Sequence, residues 1–293
     1  MKLSNILITT LASLVASSPA RETRLSHPIG GTGPYPATWT TIPSLQNHTV
    51  YLPVSPLNEP LPLLVWGNGA CSSNGTKFAN FLIEIASHGF IAIASGTPNS
   101  NGSTTSQLMR DAITWAFEQT DSTPTSNVLA VPSINTASIA VAGQSCGGLE
   151  AYQLRDDERV RFLGIFNSGF ISPDTQDVPT DGTMPLEDPD SITEVHKPVF
   201  YFLGGPTDIA FENGNRDYEA LSGVPKWIGN YPVGHTGTYQ EENGGAFGVA
   251  AVKWLQYVLR GDEEAGLFFT GGGAEAVGWN GTDSEGLDRI GEY

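Results

Sequence analysis

Apolar residues fall in short, evenly spaced runs along this chain, and the stretches between those runs repeat at helical spacing. Residues 61–66, 90–94, 138–142, 162–166 and 198–203 are rich in Leu, Ile, Val, Phe and Ala, the pattern of strands buried on both faces. Residues 227–231 form a weaker run of the same kind. Between these runs Phe78, Phe81, Leu82 and Ile85, and then Leu108, Ala112, Trp115 and Ala116, recur as on one face of an amphipathic helix. Residues 149–154 and 247–259 show the same period. The alternation predicts an α/β fold with a mostly parallel central sheet and helices on both faces. Residues 50–54, with Pro53, suit an antiparallel edge strand. Residues 21–47 are rich in Pro, Gly and Thr and read as an irregular lead-in. The tail beyond Gly261 is Gly-rich and acidic, with little periodicity. No repeat or linker divides residues 21–293, so one domain is expected there.

Composition narrows the class. The chain has 293 residues, 39% hydrophobic and 15% charged, which suits a globular protein. Residues 1–20 stand apart, because Lys2 precedes an apolar run at 6–15 that ends in Ala16, Ser17, Ser18, Pro19 and Ala20. This is the pattern of a secretory signal peptide, too short to span a bilayer. N-glycosylation sequons at Asn47, Asn74, Asn101 and Asn280 agree with export, so a secreted glycoprotein is expected. The net charge of −17 argues against nucleic acid or an anionic membrane surface as partner. Nothing in the sequence points to assembly, and a monomer is assumed.

The most informative stretch is Gly143, Gln144, Ser145, Cys146 and Gly147. A G-x-S-x-G pentapeptide between a buried strand and a helical pattern is the context of a nucleophile elbow, in which a Ser occupies a sharp turn flanked by residues without side chains. Such a Ser needs a base. His196 precedes Lys197 and Pro198 at a strand entrance, whereas His235 lies in a Gly-flanked loop between the last strand and the last helix. His235 is the expected base. The acid should stand just beyond the strand at 198–203, where Asp208 lies on a Gly/Pro turn, with Glu212 in reserve. The oxyanion hole needs two backbone N–H donors, one on the residue after the nucleophile, Cys146, and one in the loop after the first core strand. Asn68 is the first choice for the second donor and Gly69 a near alternative.

Taken in order, Ala86-Ser-His-Gly-Phe90, the elbow, Thr207-Asp208-Ile209-Ala210 and Val233-Gly-His235 resemble the dienelactone hydrolase, chlorophyllase and polyester hydrolase (cutinase-like) branch of the α/β hydrolases. The resemblance covers about residues 60–260. It implies an esterase working through an acyl-enzyme, with no metal and no cofactor. Bacterial polyester hydrolases carry an aromatic residue and a Met where this chain has Asn68 and Cys146, and they have a C-terminal disulfide that is absent here. A small or aryl ester is therefore expected as substrate. Residues 171–196, Pro-rich and acidic, read as a rim rather than a lid.

In that fold the two loops holding Cys71 and Cys146 are neighbours, and free thiols would be liabilities outside the cell. A Cys71–Cys146 disulfide is expected, the alternative being two buried free cysteines. Cys146 is not expected to be the nucleophile, since Ser145 holds the elbow. Two other functions stay open: a hydrolase-fold enzyme recruited to lyase or isomerase chemistry, and a catalytically silent extracellular binding protein.

Overall fold

The sheet is built on strands that the surrounding chain buries completely. The computed structural model describes residues 27–55, 57–119, 131–175 and 184–293; the expected signal peptide, 1–20, lies outside the described residues. Among the described residues one sheet of 9 strands runs in the order β1-β2-β4-β3-β5-β6-β7-β8-β9. Its centre is parallel: β4 (Ile91–Ser95), β3 (Leu61–Gly67), β5 (Ile134–Gln144), β6 (Phe162–Phe166), β7 (Val199–Leu203) and β8 (Lys226–Asn230). Every residue of β3, β4, β6, β7 and β8 is buried, as a sheet covered on both faces requires.

Successive side chains of a strand point to opposite faces, and they divide the core in two. Leu64, Trp66, Ala140, Ala142, Phe200 and Phe202 join one cluster with α1 (Ala79–Ser87) and α5 (Gly245–Arg260). Leu63, Val65, Ile139, Val141, Val199 and Tyr201 join the other with α2 (Ser106–Gln119) and α3 (Cys146–Tyr152). The molecule is thus an α/β protein with a mostly parallel mixed sheet, helices on both faces and no large separate domain, an architecture compatible with an α/β hydrolase. Strand β3 leads into α1 on one face, whereas its neighbour β5 leads into α3 on the other. A crevice opens outside the carboxyl ends of strands at such a switch point.

Two expectations are corrected, the edge strand and the irregular lead-in, and the structure adds elements that the apolar pattern does not announce. Residues 50–54 do not form the edge: residues 50–53 belong to β2 (Leu45–Pro53), which pairs antiparallel with β4 on one side and with β1 (Ala37–Ile42) on the other. The lead-in thus supplies the true edge strand, built largely from Thr and Trp, which favour the pleat without an apolar signature. A helix absent from the sequence reading, α4 (Phe211–Ala220), follows β7; its Asn and Gly residues weaken intrinsic helicity, and burial of Gly214, Asp217 and Tyr218 holds it. The tail is also ordered. It forms α6 (Glu263–Thr270), α7 (Gly273–Ala276) and β9 (Asn280–Glu285), the last antiparallel to β8, and it places Phe268, Phe269 and Trp279 in the core.

Candidate active site

Strands β3 and β5 end side by side, with Gly67 paired to Gly143, and each passes directly into a loop with a chemical function to offer. Beyond Gly143 the chain turns through Ser145 at φ 55°, ψ −120°, a conformation that L side chains rarely adopt. The turn closes because Gly143 and Gly147 touch: a Cβ on Gly143 would lie 2.2 Å from the Gly147 carbonyl carbon, and one on Gly147 would lie 2.0 Å from the Gly67 oxygen. Backbone bonds from Ser145 N–H to the Phe166 carbonyl (2.9 Å) and from Gly148 N–H to the Ser145 carbonyl (2.8 Å) fix it. Helix α3 then begins at Cys146, directly behind Ser145 and earlier than its apolar residues suggest.

The structure brings Ser145, His235 and Asp208 together. His235 Nε2 lies 2.9 Å from Ser145 Oγ, and Nδ1 lies 2.6 Å from Asp208 Oδ1. The tautomer that satisfies both contacts carries its proton on Nδ1, which donates to Asp208, and leaves Nε2 to accept from the Ser145 hydroxyl. The His235 loop follows β8, and its carbonyl accepts from Gln144 Nε2 at 2.9 Å, tying the base to the residue before the nucleophile. Asp208 stands beyond β7, as expected. His196 is exposed at the opposite, amino-terminal end of that strand, and Glu212 is exposed on α4, so neither joins the cluster.

The Asp208 carboxylate is fully buried and receives four hydrogen bonds. Besides His235, the Ala210 N–H donates to Oδ1 (2.9 Å), while the Gly204 N–H (2.9 Å) and Asn167 Nδ2 (2.7 Å) donate to Oδ2. Burial alone would raise its pKa, but these donors outweigh burial and hold it below the ordinary Asp value. Asn167 is itself fixed by the hydroxyl of Tyr239, which donates to Asn167 Oδ1; both residues are buried. The sequence reading missed both. Asn167 stands just beyond a buried strand, β6, as Ser145 and Asp208 do beyond theirs, and its φ of 45° suits Asn better than most residues.

The loop after β3 folds inward. Asn68 is buried, and its Nδ2 donates to the carbonyls of Ser95 (2.7 Å), Ser72 (2.9 Å) and Asn74 (3.3 Å). Its backbone nitrogen packs against Gly147, where an added Cβ would lie 2.8 Å away. Gly69 opens the short 3-10 turn Gly69–Cys71, and its carbonyl accepts from Lys77 Nζ at 2.8 Å. Ala70 and Cys71 both have positive φ. Cys71 and Cys146 are joined as a disulfide, with Cα atoms 5.1 Å apart and a sequence separation of 75. The cross-link thus connects the loop after β3 to the first residue of α3.

Of the sequon residues, Asn47, Asn101 and Asn280 are exposed, whereas Asn74 is half-buried and its Oδ1 accepts from Thr76 and from the Asn99 N–H. No helix among the described residues is long and apolar enough to cross a membrane. No family model matches the chain, and no curated protein matches it.

Proposed function

We propose that this protein is a secreted serine carboxylic ester hydrolase that acts through an acyl-enzyme on a small or aryl ester. One observation carries the reading: His235 lies within hydrogen-bond reach of Ser145 Oγ on one side and the buried Asp208 on the other, with Ser145 on a strained strand-to-helix turn. A solvated Ser hydroxyl is a poor nucleophile, and this arrangement supplies both its base and the group that orients the base.

In the proposed reaction Ser145 Oγ attacks the ester carbonyl carbon while its proton passes to His235 Nε2, and Asp208 stabilises the imidazolium. The tetrahedral oxyanion accepts from the backbone N–H groups of Cys146 and Asn68. Collapse breaks the C–O bond, and the alcohol leaves with the proton from Nε2. Water then attacks the acyl group by the same route in reverse, freeing the acid and Ser145. Ile209 follows Asp208 and Val233 stands two residues before His235, and both are exposed, Ile209 by 80%; apolar side chains exposed this near the triad in sequence support an uncharged acyl or aryl group as substrate. The disulfide fits an oxidising compartment, and with the sequons and the leader pattern it supports export. The resemblance of its motifs supports a likeness to the dienelactone hydrolase, chlorophyllase and polyester hydrolase branch.

Hydrolysis of a panel of p-nitrophenyl esters of increasing acyl length tests the reading. The wild type should turn over the short members, while Ser145→Ala, Asp208→Ala and His235→Ala each lose about 10⁴-fold or more in kcat and His196→Ala stays near wild type. An inactive His196→Ala beside an active His235→Ala would reassign the base. Turnover of none of the esters would favour a non-hydrolytic enzyme or a binding protein.

A further inference from the structure

Glu150 is a buried carboxyl that the proposed reaction does not use. It lies on α3 four residues after Cys146, on the same helix face as the disulfide, and helical side chains lean toward the amino terminus, here toward the end that carries Ser145 and Cys146. It is fully buried. Oε1 accepts from the Thr104 hydroxyl at 2.8 Å, and Oε2 has no hydrogen-bond partner among the described residues. Oε2 abuts the end of β3, where a Cβ on Gly67 would lie 3.0 Å away. Gly67 immediately precedes Asn68. Thr104 also holds the disulfide loop, through its N–H to the Cys71 carbonyl at 2.7 Å. Glu150, Thr104, Gly67 and the cross-link therefore form one packed unit behind both proposed oxyanion donors.

No cation among the described residues is paired with this carboxyl. Helix α3 carries no other charged residue, β3 offers the Gly67 backbone, and the loop before α2 offers the Thr104 hydroxyl. Of the cations on flanking segments, Lys77 donates to the Gly69 carbonyl, and Arg110 on α2 is engaged by Asp157 at 3.7 Å and by the Gln153 carbonyl. An orphan oxygen in a fully buried site suits a neutral acid better than an anion. Burial, opposed only by the Thr104 hydrogen bond, pushes the Glu150 carboxyl up to about 7.

We propose that Glu150 is a positioning residue of the oxyanion loop that supports turnover only in its uncharged form. The reason is electrostatic. Once ionised, it sets a negative charge behind the two N–H groups that must receive negative charge in the transition state, in a site where water screens little. The inference rests on the esterase reading above. It gives the enzyme an alkaline limb of its own, with the base required deprotonated and Glu150 required protonated.

The test combines kinetics with a direct titration. In wild type, kcat for p-nitrophenyl acetate should fall about tenfold or more between pH 6 and pH 8, and in Glu150→Gln that fall should vanish, so the variant-to-wild-type ratio rises by the same factor. Thr104→Val removes the bond that favours the anion and should move the limb to higher pH; this variant serves if the Gln protein does not fold. In protein labelled with 13C at Glu carboxyls, the resonance missing from Glu150→Gln, or displaced in Thr104→Val, should titrate near neutrality. A resonance titrating in the ordinary carboxylate range, a wild-type profile retained in Glu150→Gln, or a limb unmoved by Thr104→Val would each overturn the proposal. A wild type inert toward esters at every pH would overturn the esterase reading and the positioning role together, and it is told apart by wild type alone.

Discussion

Asp208 sits in a cage of four donors, and three of them are rigid by construction: two backbone N–H groups and an Asn amide that a Tyr hydroxyl holds in one orientation. The fourth is the imidazole whose tautomer the carboxylate sets. Removing the Tyr239 hydroxyl leaves Asn167 Oδ1 buried without that donor and frees the amide to turn. A net hydrogen bond of about 1–1.5 kcal/mol is about tenfold in rate if it acts mainly in the transition state. Tyr239→Phe should therefore lose about tenfold in kcat with KM little changed; a change confined to KM would place Tyr239 in substrate binding instead. Ser145, Asp208 and His235 could be read from the sequence because each lies between glycines or beside a Gly/Pro turn at the end of an apolar run. Asn167 also ends an apolar run and Tyr239 follows Gly237 by two residues, but neither belongs to a motif that assigns it a partner. Their partners are 41 and 72 residues away in sequence, and only the folded sheet brings them together.

Among the elements, those recognisable in the sequence are the strands buried on both faces and the helices whose apolar face recurs at helical spacing. Strand β6 spans the residues that its apolar run defines, and α5 starts within two residues of its own. Elements with neither pattern are obscured. Strand β9, Asn-Gly-Thr-Asp-Ser-Glu, is exposed along nearly its whole length, and its strand character comes from pairing with β8 rather than from its side chains. The element pair that matters most chemically is the loop after β3 and α3, cross-linked through Cys71 and Cys146. Each carries one proposed oxyanion donor, and losing one such donor costs about 2.7–4 kcal/mol of transition-state stabilisation. Cys71→Ser should lower kcat more than it raises KM and destabilise the fold by about 2–5 kcal/mol. Equal activity of the oxidised and reduced proteins, each still folded by circular dichroism, would show that the cross-link serves stability alone.

Over the whole molecule, buried carboxyls pull stability in two directions along the pH scale. Glu150 is raised to about 7 and Asp217 to about 6, each mainly by burial. The native state therefore holds protons that the unfolded chain has released, and stability falls as pH rises from the ordinary carboxylate range through these values. Asp208 and Asp157 are held low, Asp157 chiefly by its bond from Arg159. Their contribution is present above the ordinary Asp value and disappears as pH falls below it. The net charge of −17 adds self-repulsion at high pH. Tm should accordingly peak at mildly acidic pH and decline toward pH 8, and Glu150→Gln should flatten the decline; a Tm rising steadily from pH 5 to 8 would contradict this. In the proposed reaction every step passes through an acyl group carried on Ser145. Intact-mass measurement of the protein mixed briefly with an excess of p-nitrophenyl ester addresses it directly. The expected result is a gain of one acyl group, mapped by peptide analysis to Ser145 and absent from Ser145→Ala. Acylation at another residue, or undiminished steady turnover by Ser145→Ala, would contradict it.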